Sequence, residues 1–382
     1  MPKEPSFGNQ TKTSLSTLSQ LLHPFIVSMM TDYKKEKRTE FVKRAHSQMA
    51  AMLSLTTFGI LLLTVVYHGR SLFPKDEDRQ LSDTGLPPPA PAAVIAPGVE
   101  KPFVSLGTGG GMVGNRSVVE EAVRTWLSIG GSGLDTAIDY KNDDLVGAAL
   151  EGSGILREQV FLTTKQPGPI GFHETVEALR DSLVRLRTTY VDLYLIHFPD
   201  LPDPKNQSGK ELRQETWKGM EEVLKRGWTK SIGVSNYKIS DLEDTLEIAQ
   251  VPPALNQVLW NPATHDDGLL VFCQANGIAL EAWSPLGGHD SRHGEVLELP
   301  IMQRIAESHG VSTAQVALKW TLQHGMTLAT GTTWEEHMRT DLDVFGFRLT
   351  DEEVASISDI QNQSETMLNL GSSWNAAIEE MR

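Results

Sequence analysis

Val160-Phe-Leu-Thr-Thr-Lys165 and Val191-Asp-Leu-Tyr-Leu-Ile-His197 are two short strand-like runs that each end on an ionisable side chain. A third run, Gly133-Leu-Asp135, ends in the same way, and a tyrosine follows it in the next loop. A single Lys or His after an apolar run is usually a solvated loop residue. In a parallel β/α barrel, however, the carboxyl ends of all strands meet at one mouth, where active sites are built. Three successive runs of this kind therefore predict a catalytic site made of Asp135, Tyr140, Lys165 and His197.

Strand-like and helix-like segments alternate from Pro102 onward. In the helical segments apolar residues recur at spacings of three and four, as in Val176, Leu179 and Leu183. Eight alternations in roughly 260 residues predict an α/β fold, a closed (β/α)8 barrel rather than an open sheet. The predicted strands are Phe103–Gly107, Gly133–Ala137, Val160–Lys165, Val191–His197, Lys230–Ser235, Ala254–Trp260, Ile278–Trp283 and Thr327–Thr330, and the clearest helices are Val118–Ile129, Glu174–Leu186, Gln214–Lys225 and Ile239–Ala249.

A dinucleotide-binding fold is the main alternative. Gly109-Gly-Gly-Met-Val-Gly114 satisfies the G-x-G-x-x-G pattern, and Asp135 follows at about the required spacing. Three adjacent glycines satisfy that pattern easily, however, and this reading leaves Tyr140, Lys165 and His197 without a role. The barrel is therefore favoured.

Composition excludes several other classes of protein. The formal net charge of −15 and the pI of about 5.2 argue against a nucleic-acid partner. Cys273 is the single cysteine, which excludes an intramolecular disulfide and a multi-cysteine metal site, and it is expected to be a core thiol. The pair His289 and His293 lacks the glutamate of the zinc-protease motif, so no metal site is predicted.

The chain of 382 residues is longer than a barrel of about 250 residues, and the surplus is N-terminal. Residues 1–48 hold eight Lys or Arg against four Asp or Glu and are expected to be a disordered basic tail. Met49–Tyr67 follows as 19 residues without a charge, close to the ~20 that span a bilayer. We expect a retained single-pass membrane helix, with a buried core helix as the alternative. Residues 68–96, which include Leu86-Pro-Pro-Pro-Ala-Pro91, are expected to be a stalk, followed by the barrel at 97–360 and a tail at 361–382.

From about Phe103 to Thr350 the sequence resembles the aldo-keto reductase family. The motifs that carry the resemblance are Leu134-Asp-Thr-Ala-Ile-Asp-Tyr140 with Asn142 and Val146-Gly147, Thr163-Thr-Lys165, Asp192-Leu-Tyr-Leu-Ile-His-Phe-Pro199, Glu215-Thr-Trp-Lys-Gly-Met-Glu-Glu222, Ile232-Gly-Val-Ser-Asn-Tyr237, Asn256-Gln257 with Asn261-Pro262, and Trp283-Ser-Pro-Leu-Gly287. The resemblance implies a (β/α)8 barrel that reduces aldehydes and ketones with NADPH or NADH.

Carbonyl reduction explains the four mouth residues independently, since it needs a hydride on carbon and a proton on oxygen. Tyr140 can supply the proton, although a free phenol has a pKa near 10. The ammonium of Lys165 would favour the phenolate and lower that pKa, and Asp135 would hold the lysine in place. A neutral His197 would orient the carbonyl oxygen, and we place Phe198 beside it in the substrate site.

The cofactor site follows from the resemblance. Ser235, Asn236 and Gln257 would hold the nicotinamide carboxamide. Trp283, where the family more often has Tyr, would stack on the ring. The other positions assigned to the cofactor are Gly107, Thr108, Asp135, Ser284, Leu286 and Gly287, of which the last three would line the pyrophosphate path.

The adenine end departs from the family pattern. Where many members carry Pro-Lys-Ser and a downstream Arg, this chain has Thr330-Gly331-Thr332-Thr333 and then His337. Asp341 stands where an Asn is usual. Cations normally hold the 2′-phosphate of NADP, so either NADH is accepted or hydroxyls and backbone amides bind the phosphate.

Two functions remain open at this stage, a membrane-anchored carbonyl reductase and a non-catalytic cofactor-sensing barrel that acts as a tethered regulatory subunit. The side of the membrane is open as well. Positive charge before the predicted span favours a cytoplasmic N-terminus with the barrel on the opposite side, and sequons at Asn115, Asn206 and Asn362 agree with this. Nicotinamide cofactors are mainly a cytosolic supply, which argues for the other side.

Overall fold

The computed structural model describes residues 91–113, 115–200, 209–287 and 295–361. The predicted basic tail, the predicted span Met49–Tyr67, most of the predicted stalk and nearly all of the C-terminal tail lie outside these residues and stay predictions. Among the residues that are described, no helix is both long enough and apolar enough to cross a membrane.

Eight parallel strands close into a barrel, which confirms the predicted (β/α)8 fold and excludes the open dinucleotide-binding sheet. Around the barrel the order is β10-β3-β4-β5-β6-β7-β8-β9, so neighbours in the chain are neighbours in the sheet. The strands are β3 Val104–Gly107, β4 Gly133–Asp135, β5 Phe161–Gln166, β6 Leu193–Ile196, β7 Ile232–Ser235, β8 Leu255–Leu259, β9 Ala279–Trp283 and β10 Thr327–Thr330.

Burial on both faces explains why these runs were recognisable in the sequence. All six residues of β5 and all four of β6 are buried, because one face fills the barrel and the other meets the helices. Each of the eight predicted strands overlaps one of β3–β10. The predicted and observed strand boundaries differ by no more than two residues.

Helices surround the barrel. In the helix Phe172–Arg185, Val176, Leu179 and Leu183 are buried, as their spacing predicts. Cys273 is also buried, as expected of a core thiol. The helices are α1 Arg116–Ser128, α2 Asp143–Gly152, α3 Phe172–Arg185, α4 Gly209–Lys225, α5 Ile239–Leu246, α6 Asp267–Ala275, α7 Pro300–His309, α8 Thr313–Gln323, α9 Glu335–Leu342 and α10 Asp351–Ser358.

A hairpin precedes the barrel. Strands β1 Ala92–Ala96 and β2 Val99–Pro102 pair antiparallel, and Gly98 in the turn between them has a φ of +74°, which favours glycine. Ile95 and Val99 pack against barrel residues of β5, β6 and β8. The hairpin therefore covers the amino-terminal end of the barrel, opposite the predicted site, and β1 occupies the last five residues of the predicted stalk.

Candidate active site

The barrel brings the four predicted catalytic residues together at its carboxyl-terminal mouth. Asp135 ends β4, Lys165 lies in β5, and His197 follows β6 directly. Parallel register sets Asp135 opposite Thr163 and Lys165 opposite Leu195, which places the three side chains on adjacent strand ends. Tyr140 ends the 3-10 turn Ile138–Tyr140, which follows β4 and turns the phenol back over the barrel.

Asp135 and Lys165 form a buried ion pair. Nζ of Lys165 lies 2.5 Å from Oδ1 of Asp135 and also donates to the carbonyl of Thr136 at 3.1 Å. Burial lowers the pKa of Lys165, but the charges of Asp135 and Tyr140 outweigh burial and raise it. The lysine is therefore held as an ammonium, 5.1 Å from the centroid of the Tyr140 ring.

The net pKa of Tyr140 is raised, although Lys165 acts on it in the predicted direction. Lys165 does lower the pKa of Tyr140, as predicted, but burial of the phenol raises it by more. Asp135 and Asp139 raise it further, because a second negative charge is unfavourable next to a carboxylate. Tyr140 is therefore protonated across the neutral range and is suited to donate a proton.

Burial lowers the pKa of the His197 imidazole, which favours its neutral form. Its Nδ1 lies 3.5 Å from Oδ2 of Asp139, at the limit of hydrogen-bonding distance. The His197 ring meets Tyr140 edge-on, with 5.7 Å between the centroids, and Phe198 stacks on it at 4.5 Å. The predicted substrate residues thus form one wall beside the phenol.

Asn236, one of the residues predicted to hold the nicotinamide, contacts the partly exposed indole of Trp283. Nε1 of Trp283 donates to Oδ1 of Asn236 at 2.9 Å, and Nδ2 of Asn236 donates to the carbonyl of His197 at 2.9 Å. Asn236 has a φ of +62°, a conformation that Asn tolerates better than most residues. Ser235 donates to the carbonyl of Gln257 at 2.8 Å. A flat aromatic face bordered by the Asn236 amide, which also contacts the backbone of His197, fits a nicotinamide ring.

The side chains of two other predicted cofactor residues, Gln257 and Thr108, point into the protein interior. Gln257 directs its amide nitrogen to Asp135 and to Glu281, at 2.8 and 2.9 Å. The buried hydroxyl of Thr108 donates to the carbonyl of Asp135 at 3.2 Å, and its carbonyl accepts from Asn142 at 3.0 Å. Both therefore hold Asp135 and its loop in place in this structure.

The predicted pyrophosphate path lies on the loop after β9. Ser284 and Gly287 have φ values of +50° and +81°, and the backbone N–H of Gly287 donates to the carbonyl of Ser284 at 3.0 Å. Leu286 is partly exposed there, and Gly107 is partly exposed at the end of β3. The loop therefore places the partly exposed side chains of Ser284 and Leu286 along the predicted path.

The predicted adenine end lies after β10. Thr330 donates to Oδ2 of Asp341 at 3.1 Å, and burial raises the pKa of Asp341 to about 7. Gly331 and His337 are exposed, and Oγ1 of Thr332 lies 3.5 Å from Nδ1 of His337. The positions where many family members have Lys and Arg are occupied here by Gly331 and His337. This end of the site therefore fits a 2′-phosphate less well than the other end fits a nicotinamide.

Sequence reasoning missed three residues that support the mouth. Gly109, assigned above only to an accidental glycine pattern, packs against Tyr140 so closely that a Cβ would lie 2.7 Å from Cζ of the phenol. Glu281 and Lys101 are charged residues buried inside the barrel. The sequence did contain a signal for Glu281, which lies two positions before Trp283 in a predicted strand. Alternate residues of a strand share a face, so Glu281 could have been placed on the same face as Trp283. Among the described residues, no group of three or more His, Cys, Asp or Glu could hold a metal ion.

Comparison with known proteins agrees with this geometry. The profile described as "Aldo/keto reductase family" matches residues 105–362, which is more than half of the chain. The chain belongs to the aldo-keto reductase family. The matched span contains all eight strands of the barrel except the first residue of β3, together with the four mouth residues.

Relatives of this aldo-keto reductase are similar over most of their own length. Glyoxal reductase of Bacillus subtilis is 37% identical over 269 residues, which cover 70% of this chain and 91% of that protein. Glycerol 2-dehydrogenase (NADP(+)) of Saccharomyces cerevisiae is 33% identical, with coverage of 70% and 89%. A Bombyx mori aldo-keto reductase solved in complex with NADP has a TM-score of 0.66 at 31% identity and covers 72% of this chain and 94% of its own.

Proposed function

We propose that this aldo-keto reductase uses NADPH or NADH to reduce aldehydes or ketones to alcohols, with Tyr140 as the general acid. The observation that carries the proposal is the contact between the Tyr140 phenol and a buried ion pair. Lys165 is bound to Asp135 at 2.5 Å and lies 5.1 Å from the centroid of the Tyr140 ring. Relatives named for reductase activity support the same reaction class.

The residues of the mouth divide the reaction between them. The nicotinamide cofactor, when bound, supplies the hydride for the carbonyl carbon. Tyr140 transfers its proton to the carbonyl oxygen, and the ammonium of Lys165 stabilises the phenolate that remains. Neutral His197 orients the carbonyl oxygen, and Asp135 keeps the lysine in place. After the alcohol leaves, water returns a proton to Tyr140.

Proton donation of this kind contributes on the order of 10²–10⁴-fold to a rate. The raised pKa of Tyr140 keeps the donor loaded at neutral pH, and the nearby ammonium offsets part of the cost of losing the proton. This combination favours an enzyme over a cofactor-sensing regulatory subunit, because binding a nucleotide requires no acid beside the nicotinamide.

The decisive experiment compares the wild-type chain with Tyr140→Phe. Full-length protein in detergent is assayed for NADPH and NADH oxidation with glyoxal, D-galacturonate and simple ketones. Tyr140→Phe should lower kcat at least about 100-fold and leave cofactor affinity nearly unchanged, because only the proton donor is lost. Tyr190→Phe is the matched control, since Tyr190 contacts Arg157 and Lys230 away from the mouth. More than about a tenth of wild-type kcat in Tyr140→Phe would refute the assignment.

We propose further that Met49–Tyr67 anchors the protein in a membrane as a single span. Its support is the absence of charge over 19 residues and the basic segment before it. The basic flank favours a cytoplasmic N-terminus and a barrel on the opposite side. Modification of Asn115, Asn206 or Asn362 by glycosylation would place the barrel in the lumen, and protease access in intact vesicles tests the same point.

A further inference from the structure

A second buried ion pair lies inside the barrel. Nζ of Lys101, from β2, is 2.6 Å from Oε1 of Glu281, in β9, and both side chains are 0% exposed. Lys101 also donates to Oγ of Ser105 at 2.8 Å. Burial of two charges costs several kcal/mol per ion, and apolar residues of similar size often stabilise a fold as well or better. Stability alone therefore gives a weak reason for this pair.

Gln257 connects the pair to the catalytic residues. Its Nε2 donates to Oε2 of Glu281 at 2.9 Å and to Oδ2 of Asp135 at 2.8 Å. A primary amide carries two hydrogens, so one can serve each carboxylate. The other oxygen of Asp135 is bound by Lys165. An unbroken series of contacts therefore runs from Lys101, at the hairpin end of the barrel, to the ammonium beside the phenol.

We infer that Lys101 and Glu281 are positioning residues for Tyr140. Glu281 holds Gln257, Gln257 fixes the second oxygen of Asp135, and Lys101 neutralises Glu281 so that its charge does not oppose ionisation of the phenol. The catalytic consequence rests on the proposed function, whereas the effect on the proton affinity of Tyr140 does not.

The charges that face Tyr140 give the expected signs. Lys165 favours the phenolate, Asp135 and Asp139 oppose it, and the uncharged ring of His197 lies against it. Glu281 contributes to the raised pKa of Lys165, so its charge is felt at the mouth.

Each single variant therefore has its own direction. Loss of the Glu281 charge leaves Lys101 unbalanced and should lower the pKa of Tyr140. Loss of the Lys101 charge leaves the Glu281 carboxylate without its partner, and this negative charge should raise the pKa of Tyr140. Loss of packing alone predicts no such opposition of signs.

The test is an ultraviolet titration of tyrosinate in the full-length protein, with the Tyr140→Phe version of each variant subtracted. Glu281→Gln should lower the pKa of Tyr140 by about one unit, and Lys101→Met should raise it by a similar amount. Lys101→Met combined with Glu281→Gln removes both charges. In this double variant the pKa of Tyr140 should lie within about 0.3 units of the wild-type pKa. The alkaline limit of carbonyl reduction should move with each titration.

Asp192→Asn is the matched control. Asp192 is also a buried carboxylate in an ion pair, 2.8 Å from Arg157, but none of its contacts leads to the mouth. It should leave the titration of Tyr140 unchanged. Equal shifts in Asp192→Asn, no shift in Glu281→Gln, or a double variant that keeps the shift of Glu281→Gln would overturn the inference.

If Glu281→Gln does not fold, Lys101→Met alone tests the inference. A rise in the pKa of Tyr140 in that variant supports the inference, and an unchanged titration refutes it. The expected shifts in a protein that reduces no carbonyl would sustain the positioning role and reject the proposed function.

Discussion

Gly109 and Tyr140 are packed without room for a side chain between them. A Cβ on Gly109 would lie 2.7 Å from Cζ and 2.9 Å from Oη of the phenol, inside the contact distance of carbon atoms. The backbone of Gly109 is extended, with φ −81° and ψ −162°, so an alanine could adopt it. The glycine is therefore required by the position of the Tyr140 ring and not by its own conformation.

Gly109→Ala should displace the Tyr140 ring and lower kcat by about 100-fold, because misplacement of a reacting group by about 1 Å costs that much. The free energy of unfolding should change little, since the displaced atoms are the far end of a side chain. Gly111→Ala is the control, because a Cβ there would meet no atom within 4 Å. Steady-state kinetics and urea denaturation of both variants test the prediction. Equal kcat in the two variants would contradict it.

The pH dependence of reduction follows from two of the ionisable groups at the mouth, Tyr140 and His197. Reduction needs a protonated Tyr140, whose pKa is raised, so the rate should fall only above about pH 10. It also needs neutral His197, whose pKa is lowered, so the acid limit should lie below about pH 6.5. A profile of kcat/KM between pH 5 and 11 checks both limits. An inflection between about pH 7.5 and 9.5 that persists in His197 variants would contradict the prediction. It would mean that the effect of Lys165 on the pKa of Tyr140 outweighs that of burial.

Asp341 predicts a pH-dependent stability. Its pKa is raised to about 7 in the folded chain, against about 4 when unfolded, so ionisation is disfavoured by folding. Wild-type stability should therefore fall as pH rises from about 4 to 7, and Asp341→Asn should remove this loss. The variant should be more stable by up to a few kcal/mol at pH 8 and by far less at pH 4, since one pKa unit corresponds to about 1.4 kcal/mol.

Urea midpoints of wild type and Asp341→Asn at the two pH values measure the difference. The exposed Asp343→Asn is the control, because it keeps the buried carboxyl. A gain that is the same at pH 4 and pH 8 would show that Asp341 does not titrate in this range.

Cofactor discrimination should be weaker than is usual in the family. Gly331 and His337 stand where Lys and Arg are common, and each charge-assisted contact to a phosphate contributes about 1.5–3 kcal/mol. Gly331→Lys combined with His337→Arg should tighten NADPH selectively. A Cβ on Gly331 would lie 3.5 Å from the carbonyl of Gly107, an ordinary contact, so the lysine fits.

Quenching of tryptophan fluorescence by each cofactor measures this preference. Gly346→Lys adds one lysine, as Gly331→Lys does, at a position where a Cβ meets no atom within 4 Å, and it should leave the preference unchanged. A wild-type preference for NADPH above about a thousandfold would contradict the prediction, since that is the contribution of two such contacts.

Deletion of residues 1–70 should give a soluble, folded and active protein, because the hairpin and barrel begin at Ala92. The full-length chain should stay with membranes after an alkaline carbonate wash, and the deletion variant should not. Aggregation or loss of the folded circular dichroism signal in the deletion variant would assign Met49–Tyr67 to the core instead.

The sequence by itself determined the barrel and which polar residues meet at its mouth. Strands buried on both faces, such as Leu193–Ile196, read as continuous apolar runs, and their order in the chain is their order around the barrel. The polar residues that end those runs must then meet at one mouth. Asp135, Lys165 and His197 could be found in this way because each position depends on its own strand alone.

Only the tertiary structure decided how these residues are tuned. The net pKa of Tyr140 depends on burial against Lys165, and the sequence contains no measure of burial that is fine enough to choose the sign. Gln257 and Asp135 are 122 residues apart, and their contact exists only because the barrel closes. The same holds for Lys101 and Glu281, which the hairpin and β9 bring together inside the barrel. Local periodicity predicts the face of a helix or strand on which a side chain lies, but it does not predict which distant residue that side chain contacts.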